Sequence, residues 1–472
     1  MTIGPSVPVL VVGGGPGGYG AAFAAADLGL GVTLVDDAPV PGGVCLHRGC
    51  IPSKALLHVA QVLTEARRAE AWGVTFGRPA IDLERLRAFK DEVIRKLSTG
   101  LGSLVKQRGI TYVQGRATFL DAHRVRVARA DGTSEEIRFE HAIIATGSHP
   151  AVIPALAVAS PRVMDSTAAL ELPDIPASLL VIGGGYIGLE LATVYHALGS
   201  AVTVVEMTAG ILPGADRDLV RPLAAKLKRE LHALHLSAQV LSLEEKGEKI
   251  VARIRLEGGE VREEAFDRVL VAVGRRPNSN GLGLENTKVE VTERGFIRVD
   301  AQRRTAEPHM FAIGDVAGEP MLAHKAAHEG RVAAEVIAGR RVAFEPQAIP
   351  AVVFTDPEVA WCGLTESAAK DAGRAVKVVR FPWGASGRAV TLDRTEGLTK
   401  LIVDPETEQV LGVGITGPGA GELISEGVLA VEMAAVASDV HLSIHPHPTL
   451  SETIMEAAES VYGRSTHLYR RA

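Results

Sequence analysis

The sequence has few cysteines and no run of apolar residues suited to a membrane. Only three cysteines occur among 472 residues, which argues against a secreted disulfide scaffold and for a reducing, cytoplasmic location. Residues 7–26 carry no charge, yet glycines and two prolines interrupt them, as in a strand, a loop and a helix rather than a membrane span. No basic segment precedes them, so we expect neither a signal peptide nor a membrane partner.

The chain also lacks a strong excess of either positive or negative charge. Charged residues make up 22% of the chain, the net charge is -6, and the basic residues are scattered rather than gathered in a stripe. This pattern excludes nucleic acid as an expected partner. The length corresponds to about three domains of ordinary size.

Two of the three cysteines, Cys45 and Cys50, lie close together after a pair of glycines. Closing so short a loop would stabilise a fold by only about 2 kcal/mol in the chain-entropy model, and a chain of this size does not need it. The helix pattern after Cys50 would place its sulfur near a positive helix end and favour the thiolate. We interpret the pair as a redox device; the alternative is two buried thiols that never pair. Cys362 lies in an apolar run and is expected to be a buried core residue.

Two segments of the chain repeat one pattern: a buried strand, Gly-x-Gly-x-x-Gly, a helix, and a second strand that ends in an acid. The glycines and the acid are Gly13, Gly15, Gly18 and Asp36 in the first segment and Gly183, Gly185, Gly188 and Glu206 in the second. The first glycine turns the chain, the second lets the backbone touch a pyrophosphate, and the third lets the helix pack on the strand. The acid lies where a ribose hydroxyl needs an acceptor. The repeat predicts two dinucleotide sites; two glycine-rich turns without a ligand are the alternative.

Glu206 predicts which nucleotide the second site binds. A carboxylate there accepts a hydrogen bond from a free 2′-hydroxyl and repels a 2′-phosphate, and the next residues, Met207 and Thr208, supply no positive charge. NAD is therefore expected rather than NADP, unless Glu206 is only a solvated acid at a strand end. Because a thiol pair cannot pass hydride to nicotinamide directly, we expect the other site to hold a flavin.

Three further buried strands, within residues 142–147, 269–274 and 311–315, end in glycine turns and would complete the two units, with the second unit inserted into the first. Asp315, in the last of them, could bind a flavin ribitol hydroxyl or could cap a helix.

A histidine pair near the C-terminus allows two interpretations. Thr449 and Glu452 fit a capping box that begins a helix, and Glu452 could equally orient His447 as a proton carrier. The spacing of histidines and cysteines supports no metal site.

With these motifs identified, the chain resembles the flavoprotein disulfide reductases, the class I pyridine nucleotide-disulfide oxidoreductases, over its whole length. The resemblance rests on Gly-Gly-Val-Cys-Leu and Gly-Cys-Ile-Pro-Ser-Lys within 42–54, Gly-Gly-Gly-Tyr-Ile-Gly-Leu-Glu at 183–190, Ala-Ile-Gly-Asp-Val at 312–316, Met-Leu-Ala-His-Lys at 321–325 and His-Pro-Thr-Leu-Ser-Glu at 447–452. Within that family the chain is most similar to the dihydrolipoyl dehydrogenases.

The resemblance implies an α/β fold with two Rossmann-like dinucleotide-binding domains, the second inserted in the first, and an α+β C-terminal dimerisation domain. The implied boundaries are 1–148 and 149–275 for the FAD- and NAD-binding domains, 276–347 for a central domain that completes the FAD site, and 348–472 for the interface. The implied FAD residues are Gly13, Gly15, Gly18, Asp36, Lys54, Ala117, Asp315 and Ala323. The implied NAD residues are Gly183, Gly185, Gly188, Glu206, Val240 and Gly274.

The resemblance also implies roles for the catalytic residues. Cys45 would exchange with substrate, Cys50 would pass electrons to the flavin, and Lys54 beside the flavin would pair with Glu190. His447, oriented by Glu452, would come from the other subunit of a homodimer.

This chain departs from the family pattern at two places. His47 and Arg48 stand between the cysteines where Asn and Val are usual, and these basic side chains could lower the thiol pKa values. Tyr186 occupies a position that is often aliphatic in dihydrolipoyl dehydrogenases, whereas glutathione reductases have there a tyrosine that gates the nicotinamide pocket.

The expected function is the oxidation of protein-bound dihydrolipoamide by NAD⁺. Since no lipoyl module precedes the first strand, we expect the lipoyl group on a partner, either the acyltransferase of a 2-oxo acid dehydrogenase complex or the lipoylated glycine-cleavage protein. Glutathione reductase is the nearest rival, and Glu206 argues against it. Mercuric reductase and large thioredoxin reductase would need a C-terminal cysteine pair, which the chain lacks. A further alternative is a structural role, in which the chain is a docked subunit of a large assembly. That role is compatible with catalysis.

Overall fold

The computed structural model describes residues 6–469. Its first part is a parallel sheet extended by an antiparallel hairpin. The strands are Val7–Val12 (β1), Val32–Asp36 (β2), Thr111–Gln114 (β3), Arg116–Asp121 (β4), Arg124–Ala128 (β5) and Ser134–Ile144 (β6). The helices are Pro16–Asp27 (α1), Gly43–Arg48 (α2), Cys50–Arg68 (α3) and Leu83–Gln107 (α4). The strand order β3-β2-β1-β6-β5-β4 places β1 at the centre, where all its later residues are buried.

A second parallel sheet follows, covered on one side by a small antiparallel sheet. The strands are Ser148–Pro150 (β7), Val163–Met164 (β8), Ser178–Ile182 (β9), Ala201–Val205 (β10), Ala233–His235 (β11), Gln239–Lys246 (β12), Lys249–Arg255 (β13), Val261–Phe266 (β14), Arg268–Val271 (β15) and Arg275–Pro277 (β16). The helices are Ser166–Leu170 (α5), Tyr186–Leu198 (α6) and Arg217–Glu230 (α7). The parallel strands run in the order β11-β10-β9-β15-β8, the antiparallel sheet has the order β12-β13-β14, and β7 and β16 pair with each other in a separate two-stranded sheet.

The chain then returns to the first sheet. Met310–Ala312 (β17) pairs in parallel with β6, and Ala323–Ile337 (α8) packs along α1. A strand from beyond the second unit thus completes the first. The prediction that the second dinucleotide unit is inserted in the first is confirmed.

The C-terminal part is a five-stranded antiparallel sheet covered by helices. The strands are Ala351–Val353 (β18), Glu358–Gly363 (β19), Lys377–Pro382 (β20), Leu398–Val403 (β21) and Val410–Gly417 (β22), in the order β18-β19-β22-β21-β20. The helices are Glu366–Asp371 (α9), Gly387–Thr391 (α10), Ala420–Glu432 (α11), Ala437–Leu442 (α12) and Glu452–Glu459 (α13). This is the expected α+β unit.

A buried charge cluster joins the C-terminal unit to the second sheet. Lys400, on β21 and 1% exposed, lies 2.7 Å from Asp216, 3.0 Å from Asp218 and 2.8 Å from Glu366. Arg380 adds further ion pairs to Asp218 and Glu366. The three acids could form a cation site by spacing alone, but the Lys400 ammonium already lies among them.

Within residues 6–469, no helix combines the length and the apolar character needed to cross a bilayer. Cys362 is buried in the C-terminal core, as predicted, and burial raises the pKa of its thiol to about 12.

Candidate active site

The first glycine loop forms a cradle at the start of α1. Gly13 has φ +105°, and a Cβ on Gly18 would lie 1.7 Å from the Gly13 carbonyl oxygen, so side chains are excluded there. No side chain caps the first amides of α1. A helix start with free amides and a positive dipole end is suited to a pyrophosphate. Asp36, at the end of β2, accepts hydrogen bonds from the Gly14 and Ala38 amides and faces the same cleft.

The second glycine loop repeats this geometry. Gly183 has φ +110°, and a Cβ on Gly188 would lie 2.2 Å from the Gly183 carbonyl oxygen. Glu206 accepts from the Gly184 amide at 2.6 Å and from the Thr208 amide and hydroxyl, both at 2.7 Å. The carboxylate is thereby fixed and 9% exposed. It stands at the strand end where a ribose would meet it.

The redox cysteines lie against the first cradle. A Cβ on Gly43 would lie 2.5 Å from the Gly15 Cα, so α2 begins in close contact with the glycine loop. Cys45 is on α2 and Cys50 is the first residue of α3, as the helix pattern predicted. Both side chains are free thiols and line one cleft of about 1430 Å³, its open mouth included.

The two thiols behave as one coupled pair. The pKa of Cys50 is lowered to about 7, chiefly because the Cys45 thiol donates a hydrogen bond to it and also because Lys54 is nearby. The same contact, together with burial, raises the pKa of Cys45. The first proton is therefore lost from Cys50, and the resulting charge holds the second proton on Cys45.

Lys54 and Glu190 form the ion pair implied by the resemblance. Their side chains meet at 2.7 Å, and Lys54 Nζ also lies 4.5 Å from the centre of the Phe354 ring. Glu190, 4% exposed, further accepts from the Ser53 hydroxyl and the Phe354 amide, each at 3.0 Å. This carboxylate therefore connects α3, α6 and the C-terminal unit beside Cys50.

Asp315 belongs to a chain of hydrogen bonds that the sequence patterns missed. It accepts from the Ser148 hydroxyl, which accepts in turn from Arg275 Nε at 2.7 Å. All three residues line the cleft, as do Ala323 and Tyr186. The sequence patterns did not indicate Ser148 and Arg275. Each directly follows the glycine turn after β6 or β15, and that position was the only sequence signal for them.

Tyr186 and the basic pair between the cysteines lie at this cleft too. Burial raises the pKa of Tyr186 to about 12, and the charges that act on it include Arg275, Asp315 and Cys50. The phenol therefore stays neutral at physiological pH. His47 and Arg48 line the cleft, with His47 Nε2 3.4 Å from the Val40 carbonyl oxygen.

Three of the implied nucleotide residues lie outside the two glycine loops. Ala117 and Val240 are 5% and 7% exposed and belong to hydrophobic cores, so their side chains contribute packing. Gly274 follows β15 with φ +123°, and its carbonyl accepts from the Ala151 amide at 3.0 Å.

Glu452 contacts both residues that the two interpretations of the sequence involve, His447 and Thr449. One carboxylate oxygen lies 2.9 Å from His447 Nδ1, and the other accepts from the Thr449 amide at 2.8 Å. The helix, however, begins at Glu452, and the Thr449 hydroxyl bonds elsewhere, so only half of the predicted capping box exists. The His447 side chain is 72% exposed, with Nδ1 held and Nε2 left for a proton.

Comparisons with known proteins agree with this geometry. Residues 7–330 match the pyridine nucleotide-disulphide oxidoreductase family, and residues 349–458 match its dimerisation domain. The dihydrolipoyl dehydrogenase of Vibrio cholerae is 47% identical over 98% of this chain and 96% of its own length. That of Thermus scotoductus is 46% identical over 98% and 99%.

Solved structures show the same fold. LpdA from Mycobacterium tuberculosis superimposes with a TM-score of 0.89 at 28% identity, covering 96% of this chain and all (100%) of its own. The flavoprotein disulfide reductase RclA from Escherichia coli gives 0.86 at 29% identity, covering 97% and 100%. The C-terminal unit is thus a dimerisation domain. The chain belongs to the pyridine nucleotide-disulphide oxidoreductase family, as its motifs predicted, and is an oxidoreductase whose cofactors are FAD and NAD.

Proposed function

We propose that this chain oxidises protein-bound dihydrolipoamide to lipoamide with NAD⁺. The observation that carries the proposal is the coupled pair of Cys45 and Cys50 beside a dinucleotide cradle, with Cys50 holding the more acidic thiol. The similarity to dihydrolipoyl dehydrogenases over nearly the whole chain supports the substrate class.

The residues present fit both cofactors. FAD would be held at Gly13, Gly15, Gly18, Asp36, Lys54, Asp315 and Ala323, which belong to the first glycine loop or line its cleft, together with the chain near Ala117. NAD would be held at Gly183, Gly185, Gly188, Glu206 and the chain near Val240 and Gly274. When bound, FAD supplies the two-electron and hydride chemistry that links the dithiol to NAD⁺.

The proposed steps on the chain's own residues balance in atoms and electrons. His447 of the partner subunit takes a proton from one substrate thiol, and that thiolate attacks Cys45 in the oxidised, disulfide-bonded enzyme. The Cys45–Cys50 bond breaks, and Cys50 leaves as a thiolate, which its pKa of about 7 favours. The second substrate thiol then attacks the sulfur that is bonded to Cys45, lipoamide closes as a disulfide, and the proton of that thiol passes to the departing Cys45 sulfur, while the first proton stays on His447. The substrate has lost two electrons, and the cysteine pair has gained them.

The charged residues around the cysteines have supporting roles in this scheme. Lys54 and Glu190 hold the wall of the cleft and balance the charge beside Cys50. Glu452 fixes the tautomer of His447. His447 is exposed and does not line the cleft of its own chain, which supports its action across a homodimer.

The test uses the purified protein. NADH should form with dihydrolipoamide, and NADPH should not form with glutathione. Cys45→Ser and Cys50→Ser should each abolish turnover, whereas Cys362→Ala, the matched control at the buried third cysteine, should retain it. His447→Gln should slow thiol interchange by roughly 10²–10⁴-fold. Full activity of either serine variant would refute the scheme.

We infer a homodimer that works in the cytoplasm on a lipoylated protein, either the acyltransferase of a 2-oxo acid dehydrogenase complex or the glycine-cleavage carrier. Turnover of each purified lipoylated protein at equal concentration would identify the substrate. Equal rates on both would contradict a dedicated partner.

We also infer that the chain divides into four segments. The segments 1–148, 149–275, 276–347 and 348–472 follow the sheets, because β17 returns to the first sheet after the second is complete. Limited proteolysis that cuts between these segments before cutting within them would support it.

A further inference from the structure

Helix α13 presents three glutamates on one face. Glu452, Glu456 and Glu459 are spaced so that they lie one above the other along the helix. Like charges at this spacing destabilise a helix unless each finds a partner. Glu452 has His447, and Glu459 accepts from the Thr466 amide at 3.1 Å.

Glu456 has a histidine of its own. His467 Nδ1 lies 2.5 Å from one oxygen of Glu456, and the other oxygen accepts from the Ser465 hydroxyl at 2.5 Å and the His467 amide at 3.3 Å. The Glu456 side chain is 4% exposed, whereas that of His467 is 53% exposed. The arrangement repeats the His447–Glu452 dyad one helical turn away.

The chain after α13 is held in place for this contact. Gly463, with φ +70°, reverses the chain, and the Arg464 amide donates to the Glu459 carbonyl oxygen at 3.2 Å. Leu468 then packs against the C-terminal hydrophobic core. His467, between these two anchors, is thus directed back onto the helix.

The charge of this second pair reaches the first one. Burial opposes ionisation of Glu452, yet its pKa is lowered because it accepts from the Thr449 amide and His447, and because the charges of His447 and His467 act on it. Without a positive charge on His467, the buried Glu456 would place an uncompensated negative charge one turn from the dyad.

Other titratable groups surround this face and belong to the same electrostatic balance. They are His445 with Glu426 at 2.7 Å, His441 with Glu459 at 3.7 Å, and Lys377 on β20, whose Nζ donates to the Val461 carbonyl oxygen at 2.5 Å. Among the basic groups of residues 6–469, only His467 lies within ion-pair distance of Glu456, so we take His467 as the group that balances its charge.

We propose that His467 and Glu456 form a second dyad that keeps the surroundings of His447–Glu452 electrically neutral and so sets the pH at which His447 accepts a proton. His467 is a positioning residue in this scheme and does not touch the substrate. The proposal rests on the assignment of His447 as the base in the function proposed above.

The test is the pH profile of kcat/KM for dihydrolipoamide in the intact dimer. His467→Gln leaves Glu456 uncompensated, and the added negative charge favours the protonated form of His447. The acidic limb of the profile should therefore move to higher pH by about half a unit, the shift expected of a partly screened unit charge one helical turn away.

A double variant separates charge from packing. Glu456→Gln combined with His467→Gln removes both charges and should return the acidic limb to within about 0.1 unit of the original profile. Ser465→Ala, the matched control, removes a hydrogen bond to Glu456 without changing charge and should leave the limb in place. Thermal unfolding of each variant reports stability separately.

Two results would overturn the proposal: an unshifted profile in His467→Gln, or a double variant that shifts as far as the single one. Failure of the proposed function gives a different outcome: the parent enzyme would then not turn over dihydrolipoamide, or, if only His447 is wrongly assigned as the base, His447→Gln would retain normal turnover. If His447→Gln is slow and His467→Gln keeps the original profile, only the second dyad is refuted.

Discussion

Replacing Glu190 by glutamine tests how charge is balanced beside the redox pair. The negative charge of Glu190 raises the pKa of Cys50, while the positive charge of Lys54 lowers it. Glutamine keeps the shape, but its single carbonyl oxygen can accept either from Ser53 and Lys54 or from the Phe354 amide, and its NH2 group takes the other place. The substitution therefore removes the charge and one hydrogen-bond acceptor with little change in side-chain volume.

The magnitude follows from these contacts. A unit charge at several ångströms in a half-buried cleft is worth about 1 kcal/mol, so the pKa of Cys50 should fall from about 7 by about 0.7 unit. The lost charge on the hydrogen bond to Lys54 should cost about 1–2 kcal/mol of unfolding free energy. The cost stays in that range because the Lys54 side chain is 33% exposed and keeps its hydration.

The assay is the rate of iodoacetamide alkylation at Cys50 in the reduced enzyme as a function of pH, resolved from Cys45 by peptide mass. Lys54→Met should move the midpoint upward, and Glu190→Gln should move it downward. The reasoning is refuted if Glu190→Gln moves the midpoint upward or leaves it in place while Lys54→Met moves it.

Three further predictions follow from the structure. Lys400→Met should lower the unfolding free energy by about 3–5 kcal/mol at pH 7, because it leaves the Asp216 carboxylate buried without its cation. In the parent protein, burial opposes ionisation of Asp216, but the hydrogen bond from Lys400 lowers its pKa. Since the stability that comes from a lowered pKa is complete above the usual aspartate value and is lost as pH falls from there through the lowered folded value, the difference between variant and parent should shrink below about pH 4, and denaturant unfolding at about pH 7 and about pH 3 would show it. Gly185→Ala should fold normally, because its Cβ meets nothing within 4 Å, yet raise KM for NAD⁺, whereas Gly188→Ala should also lower the melting temperature, since its Cβ would lie 2.2 Å from a carbonyl oxygen. Glu206→Gln should raise the NADP⁺/NAD⁺ ratio of kcat/KM by about tenfold, and an unchanged ratio would show that this carboxylate does not select the nucleotide.

Much of the site could be predicted because it depends on short segments. A Gly-x-Gly-x-x-Gly loop between a buried strand and a helix creates its cradle from its own backbone, and the acid at the next strand end faces it through parallel pairing alone. The close spacing of Cys45 and Cys50, with a helix beginning at Cys50, likewise brings both sulfurs to one helix start.

The contacts that adjust the chemistry could not be predicted from such patterns. Glu190 meets Lys54 and the Phe354 amide, and His467 meets Glu456, only after separate units have packed together or the chain has turned back on itself. No periodicity in the sequence encodes these meetings, because they depend on the angles between domains and on which buried carboxylate still needs a donor. The sequence by itself thus determined where nucleotides and sulfurs lie, whereas the charge that surrounds them was decided by tertiary structure, since electrostatic partners are selected by distance in space.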